Sequence, residues 1–68
     1  MNKIKITGKL ENTDDDFNII INTEKGEVAG RLLKFEHIND NTTVEATGYL
    51  NRNAVAGNVF YIEELKIK

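Results

Sequence analysis

The chain has 68 residues, a formal net charge of −2, one histidine, no cysteine and no proline. A domain this short buries only about 60% of the surface its unfolded form exposes, so its stability margin is small. Residue types alone exclude disulfides, thiolate metal sites and histidine-cluster metal sites, and the slight acidity argues against a dedicated duplex-DNA binder, whose footprint is a basic face.

Residues 3–10, Lys-Ile-Lys-Ile-Thr-Gly-Lys-Leu, alternate strictly. Ile4, Ile6, Gly8 and Leu10 share one face and Lys3, Lys5, Thr7 and Lys9 the other, which is the period of a half-buried strand. Gly8 falls on the inward face, where a glycine marks a bend or bulge at which a strand coils around a barrel corner. Glu11 to Asp16 reads as a turn by composition. A second strand runs from Phe17 to Thr23, with Phe17, Ile19 and Ile21 on one face and Asn18, Ile20 and Asn22 on the other. Glu24-Lys25-Gly26-Glu27 is a tight hairpin in which Gly26 supplies the positive φ. The third strand extends from Val28 to about Leu33 and carries Gly30.

Alternation lapses over Leu32 to Ile38. Apolar residues at 32, 35 and 38, with 33 beside them, suit one or two helical turns closing a barrel end. Asn39-Asp40-Asn41 follows as a turn. Thr42 to Asn51 alternates again, with Val44, Ala46, Gly48 and Leu50 inward, and repeats the Thr-Gly step of the first strand. Asn51 to Asn58 is a loop. The last strand, Val59 to Ile67, has Phe60 and Ile62 inward, then Leu65 and Ile67, so its phase slips by one residue near Glu63-Glu64, as at a β-bulge. The expectation is an all-β fold, a single domain over 1–68, with five strands closing into a barrel that buries the inward face and removes the edges.

Val44-Glu45-Ala46-Thr47-Gly48-Tyr49-Leu50, a loop, and then Gly57-Asn58-Val59-Phe60-Tyr61-Ile62-Glu63-Glu64-Leu65 resemble the last two strands of oligonucleotide/oligosaccharide-binding (OB) domains, in which a V-x-x-x-G strand precedes a loop and a G-x-x-x-Y-I strand. The resemblance covers the whole chain and implies a ligand face on strands two and three, flanked by the loops after strand one and between strands four and five. An SH3-like barrel is the alternative architecture. The stretch from Gly8 to Phe17 also resembles the start of Shiga-type glycan-binding toxin B subunits, but that family's cysteines and tryptophan are missing here.

On the OB reading, single-stranded DNA or RNA is the expected partner. Lys5, Lys9, Arg31, Lys34 and Arg52 would supply charge, and the outward Tyr49 and Tyr61 would stack bases. Against this, lysines on strand one also serve solubility, and half-buried tyrosines commonly pack on neighbouring strands. Outward Ile20 is either an exposed apolar residue or a sign that a partner covers that face. Asp14, Asp15 and Asp16 would repel phosphate, and their spacing matches no EF-hand loop. The second expectation is a protein-interaction or homo-oligomeric assembly module. His37 and the adjacent Glu63-Glu64 form no catalytic constellation, so neither an enzyme nor a cofactor is expected. No signal-like run follows Met1, and the longest apolar stretch, Ile19-Ile20-Ile21, is far short of the ~20 residues of a membrane helix. A cytoplasmic protein, or a mature chain whose signal has been removed, is the expectation, without a membrane partner.

Overall fold

The computed structural model describes residues 3–53 and 57–68, with backbone only at 52–53 and 57–58. Five strands, β1 (Ile4–Asn12), β2 (Asn18–Thr23), β3 (Gly26–Leu32), β4 (Thr43–Asn53) and β5 (Gly57–Ile67), form one closed sheet in the order β1-β2-β3-β5-β4. β1, β2 and β3 follow one another antiparallel, and β4 returns to the free side of β1, where Ile4 pairs with Gly48 and Lys9 with Thr43. β5 fills the remaining gap, antiparallel to β4 and parallel to β3.

The alternating positions do what their period predicts. Leu10, Ile19, Ile21, Leu32, Val44, Ala46, Phe60 and Ile62 are buried inside the ring, with Ile6, Val28 and Leu65 packed against them. The same faces become exposed at strand ends: Ile4, Phe17, Leu50 and Ile67 are 38%, 38%, 49% and 66% accessible. Those positions point the right way but lie beyond the height of the core. Gly48 is required by closure, because a Cβ there would run into the backbone carbonyl of Tyr61 on β5. Gly8 is pressed in the same way against the backbone of Asn22 on β2.

The phase slip in β5 is a register shift. Thr47 pairs with Glu64 and the next residue, Gly48, with Ile62, so Glu63 is the extra residue. The hairpin between β2 and β3 turns at Glu24-Lys25, and Gly26 takes φ +125°. The expected loop 51–58 is shorter than its composition suggests, since Arg52 pairs with Asn58 and Asn53 with Gly57.

One element is corrected. No helix occurs among the described residues, and the helical turn expected between strands three and four is an irregular segment, 33–42. Its apolar residues are claimed by three different surroundings. Leu32 is the last residue of β3, paired with Ile62, and the Leu33 N–H donates to the Ile62 carbonyl (3.2 Å). Phe35 turns outward against Phe17, with ring centroids 6.0 Å apart. Ile38 alone enters the core. Asn12 holds the segment open: its side-chain amide donates to the Ile38 carbonyl (2.8 Å) and to Asp40 Oδ1 (2.8 Å), and its backbone N–H donates to the same Asp40 oxygen (2.9 Å). The segment rejoins the sheet through Asn41, at φ 67°, whose N–H donates to the Leu10 carbonyl (2.8 Å). Asparagine tolerates that left-handed conformation better than most residues.

Candidate functional site

Side chains one rung apart on adjacent strands lie side by side, about 5 Å from each other. One outward rung crosses four strands. Asn18 of β2 pairs with Arg31 of β3, Arg31 with Tyr61 of β5, and Tyr61 with Tyr49 of β4. Lys3, just before β1, completes it: its Nζ lies 5.8 Å from the centroid of the Tyr49 ring. The result is a lateral row, Asn18–Arg31–Tyr61–Tyr49–Lys3, with both tyrosines half-buried and both cations exposed. Arg31 Nη1 donates to Asn18 Oδ1 (3.3 Å), which leaves most of the guanidinium fork facing solvent.

Beside Arg31 and Asn18, a shallow hollow is floored by Ile20, Ala29 and Val59. Ile20 pairs with Ala29, and all three side chains are at least partly accessible. The face of β2 and β3 is therefore apolar in its centre, with a cation and aromatics along one border.

Lys3 and Glu63 are linked by a 2.5 Å ion pair in which both side chains are roughly half exposed. The bulge places Glu63 there, since it is the residue left without a partner on β4. The hydrogen bond from Lys3, with its charge, holds the Glu63 carboxyl below the usual range, and the same contact raises the Lys3 ammonium.

The remaining basic residues do not join the row. Lys5 faces Thr47, whose β5 partner is Glu64. Lys9 lies between Asn22 and Thr43. These two share the outward face of β1 with Lys3 but lie on later rungs, in a zone of mixed charge where Lys68 bonds Glu45 (3.3 Å) and pulls that carboxyl below its ordinary value. Lys34 lies past the end of β3, beside a narrow crevice lined by Glu36 and Glu63. The Arg52 side chain lies outside the described residues. Of the seven side chains expected to bind, the fold brings together Arg31, Tyr49 and Tyr61.

The acidic turn has a structural use. Asp15 accepts the Phe17 N–H (2.8 Å) through Oδ1 and the Asn18 side-chain amide (2.9 Å) through Oδ2, while the Thr13 hydroxyl donates to the Asn18 carbonyl (2.7 Å). Across the end of the sheet, the two hydrogen bonds from Asn12 lower the Asp40 carboxyl. Among the described residues, no three His, Cys, Asp or Glu side chains group as a metal site, and no helix is long and apolar enough to cross a membrane. No protein family, curated protein or solved structure matches the chain.

Three contributors were not singled out from the sequence. Asn18, Ala29 and Val59 enter through lateral pairing, and the parallel contact of β3 with β5 that aligns Arg31 with Tyr61 leaves no mark in local periodicity. Lys3 was legible as an outward lysine, but its place over Tyr49 depends on the β1–β4 register.

Proposed function

We propose that the chain is an OB-type barrel that binds single-stranded nucleic acid without catalysis, across the row Arg31–Tyr61–Tyr49–Lys3 and the apolar floor of Ile20, Ala29 and Val59. Three strands in a meander with the fourth returning beside the first is a Greek key, and a five-stranded Greek-key barrel is the OB architecture. The observation that carries the functional reading is the rung itself: two aromatics flanked by two cations on one outward face. Unpaired bases stack on aromatic rings whatever their sequence, and cations follow the backbone.

The hollow beside the row suits the edge of a stacked base, because it is apolar and shallow. Lys3 would exchange Glu63 for a phosphate, trading one exposed ion pair for another at little cost. Lys5, Lys9 and Lys34 would contribute only long-range attraction. The second reading, an oligomer built by pairing exposed strands, has only short edges to use: each strand has a neighbour on both sides, and the open stretches are partial, such as Gly26–Ala29 of β3, which lack a β5 partner.

The test is a fluorescence titration with a short labelled oligothymidine at low salt. Saturable binding that weakens linearly in log–log form with added salt is expected. No binding, or binding indifferent to salt, overturns the proposal.

A further inference from the structure

A second surface lies at the end of the sheet, on the loops rather than the strands. Phe17 and Phe35 are 38% and 51% exposed and meet edge to face, at 65° between ring planes. Neither belongs to the buried core. Adjoining exposed apolar side chains rimmed by polar residues are the kind of surface that marks an interaction site.

The backbone under both rings is fixed. The Phe17 carbonyl accepts the Leu32 N–H (2.7 Å), and the Phe17 N–H donates to Asp15. The segment carrying Phe35 is anchored by Ile38 in the core and by the Asn12–Asp40 hydrogen bonds. Binding here would therefore order little that is not already ordered, which is the condition for a small surface to hold a ligand.

Charge selects the occupant. The cleft beside Phe35 is bordered by Asp15, Asp16, Glu36 and Asp40, with His37 as the only residue of opposite tendency and no lysine or arginine in the lining. Asp15 and Asp40 each spend oxygens on the fold. Among the described residues, Asp16 and Glu36 have no side-chain hydrogen bond or ion-pair partner. An acidic rim around an apolar patch repels nucleic acid and attracts cations.

We propose that this end docks a basic segment of a partner protein, one that sets an apolar anchor residue against Phe17 and Phe35 and places lysine or arginine against Asp16 and Glu36. The proposal does not rest on the nucleic-acid reading and gives the molecule a second, acidic and aromatic surface, which adjoins the cationic row at Thr13 and Asn18.

The probe is a labelled peptide of alternating lysine and leucine, compared with one in which glycine replaces each leucine. Heteronuclear NMR on the full chain would show shifts confined to Asp15–Phe17 and Phe35–Asp40. Phe35→Ser, and Asp16→Asn combined with Glu36→Gln, would each weaken the leucine peptide by about tenfold, as loss of a central anchor or of its charge partners does. These residues are exposed and outside the core, and an unchanged far-UV spectrum would show that the variants fold. Equal affinity for the two peptides would overturn the proposal, since charge alone would then explain binding. Shifts spread over all the carboxylates would do the same. So would a change of mass in light scattering between wild type and Phe35→Ser without peptide binding, which would make a second copy the occupant. The oligothymidine titration on the same variants is expected to be unchanged, and a failure there would bear only on the strand face.

Discussion

Tyr61 stands at the centre of the proposed binding row, between Arg31 and Tyr49. Replacing it with alanine should cost about 1–3 kcal/mol of oligonucleotide affinity, the range for one lost stacking partner. The same change should leave the salt slope intact, because no cation is lost, whereas Arg31→Ala should reduce the slope by about one phosphate contact. Fluorescence titrations over a salt series separate the two. Lys3 and Glu63 give a pH signature. The Lys3 ammonium is raised, so its share of stability is full below the ordinary lysine range and is lost as pH climbs through the raised value. The Glu63 carboxyl is lowered, so its share is present above the ordinary carboxylate range and is lost as pH falls through the depressed value. Thermal unfolding of Glu63→Gln should therefore differ from wild type only between those limits, and the difference should shrink in high salt because the pair is exposed. Which way Lys3, Tyr49 and Tyr61 point was legible from a period of two, while Glu63 sits at the slip where that period breaks. Which of them became neighbours was not, because neighbours across strands are separated by as many as 60 positions in the chain, as Lys3 and Glu63 are.

Among the elements, β5 and the segment 33–42 show the two ways in which local pattern meets tertiary demand. In β5 the apolar positions 60, 62, 65 and 67 record the bulge directly, since a strand that keeps a core face across an extra residue must shift its phase there. Deleting Glu63 would restore strict alternation and keep Leu65 inward, so a cooperative unfolding transition should persist by circular dichroism, whereas deleting a residue outside the bulge, such as Tyr61, would put the apolar positions on opposite faces and abolish it. In the segment 33–42 the spacing 32, 35, 38 imitates a helical stripe, but the end of β3 and the Phe17 ring draw its members apart. A helix would treat Phe35 and Ile38 as equivalent. Here Ile38→Ala should destabilise by about 2–5 kcal/mol, as buried large-to-small changes do, while Phe35→Ala should stay within about 0.5 kcal/mol of wild type, as exposed substitutions do. Chemical denaturation of the two variants decides between the descriptions. Asp40 adds an acid sensitivity to the same segment. Its lowered carboxyl makes the Asn12 contact stabilising above the ordinary carboxylate range and progressively lost below it, so the pH dependence should be flatter in Asp40→Asn.

For the molecule as a whole, closure depends on long-range pairing. The β1–β4 ladder joins residues near the start of the chain to residues 43–48, and β5 cannot be placed until β3 and β4 stand on either side of its gap. Loop closure of this kind precedes its reward, so folding should take milliseconds to seconds, as in other small β folds of non-local topology, rather than microseconds. Stopped-flow refolding monitored by tyrosine fluorescence would measure it. Closure also explains the glycines. Gly48→Ala puts a methyl group against the Tyr61 carbonyl, and a loss of about 1–3 kcal/mol is expected from such overpacking, visible as a lowered midpoint in urea.

The sequence by itself determined five strands, the inward sets of the first, second, fourth and fifth, the hairpin at Gly26 and the slip in β5, because alternation, turn residues and a broken phase are local properties of a chain that must hide one face. It also determined what chemistry is absent by residue type, namely thiols and histidine clusters. Only the tertiary structure decided that β5 runs parallel to β3, that Arg31, Tyr61, Tyr49 and Lys3 form one row while Lys5 and Lys9 stand apart, and that Phe17 meets Phe35 at an acidic end. The reason is that strand order and register set which rungs align, and both are chosen by the summed packing of the closed ring, to which no single segment of the sequence holds the key.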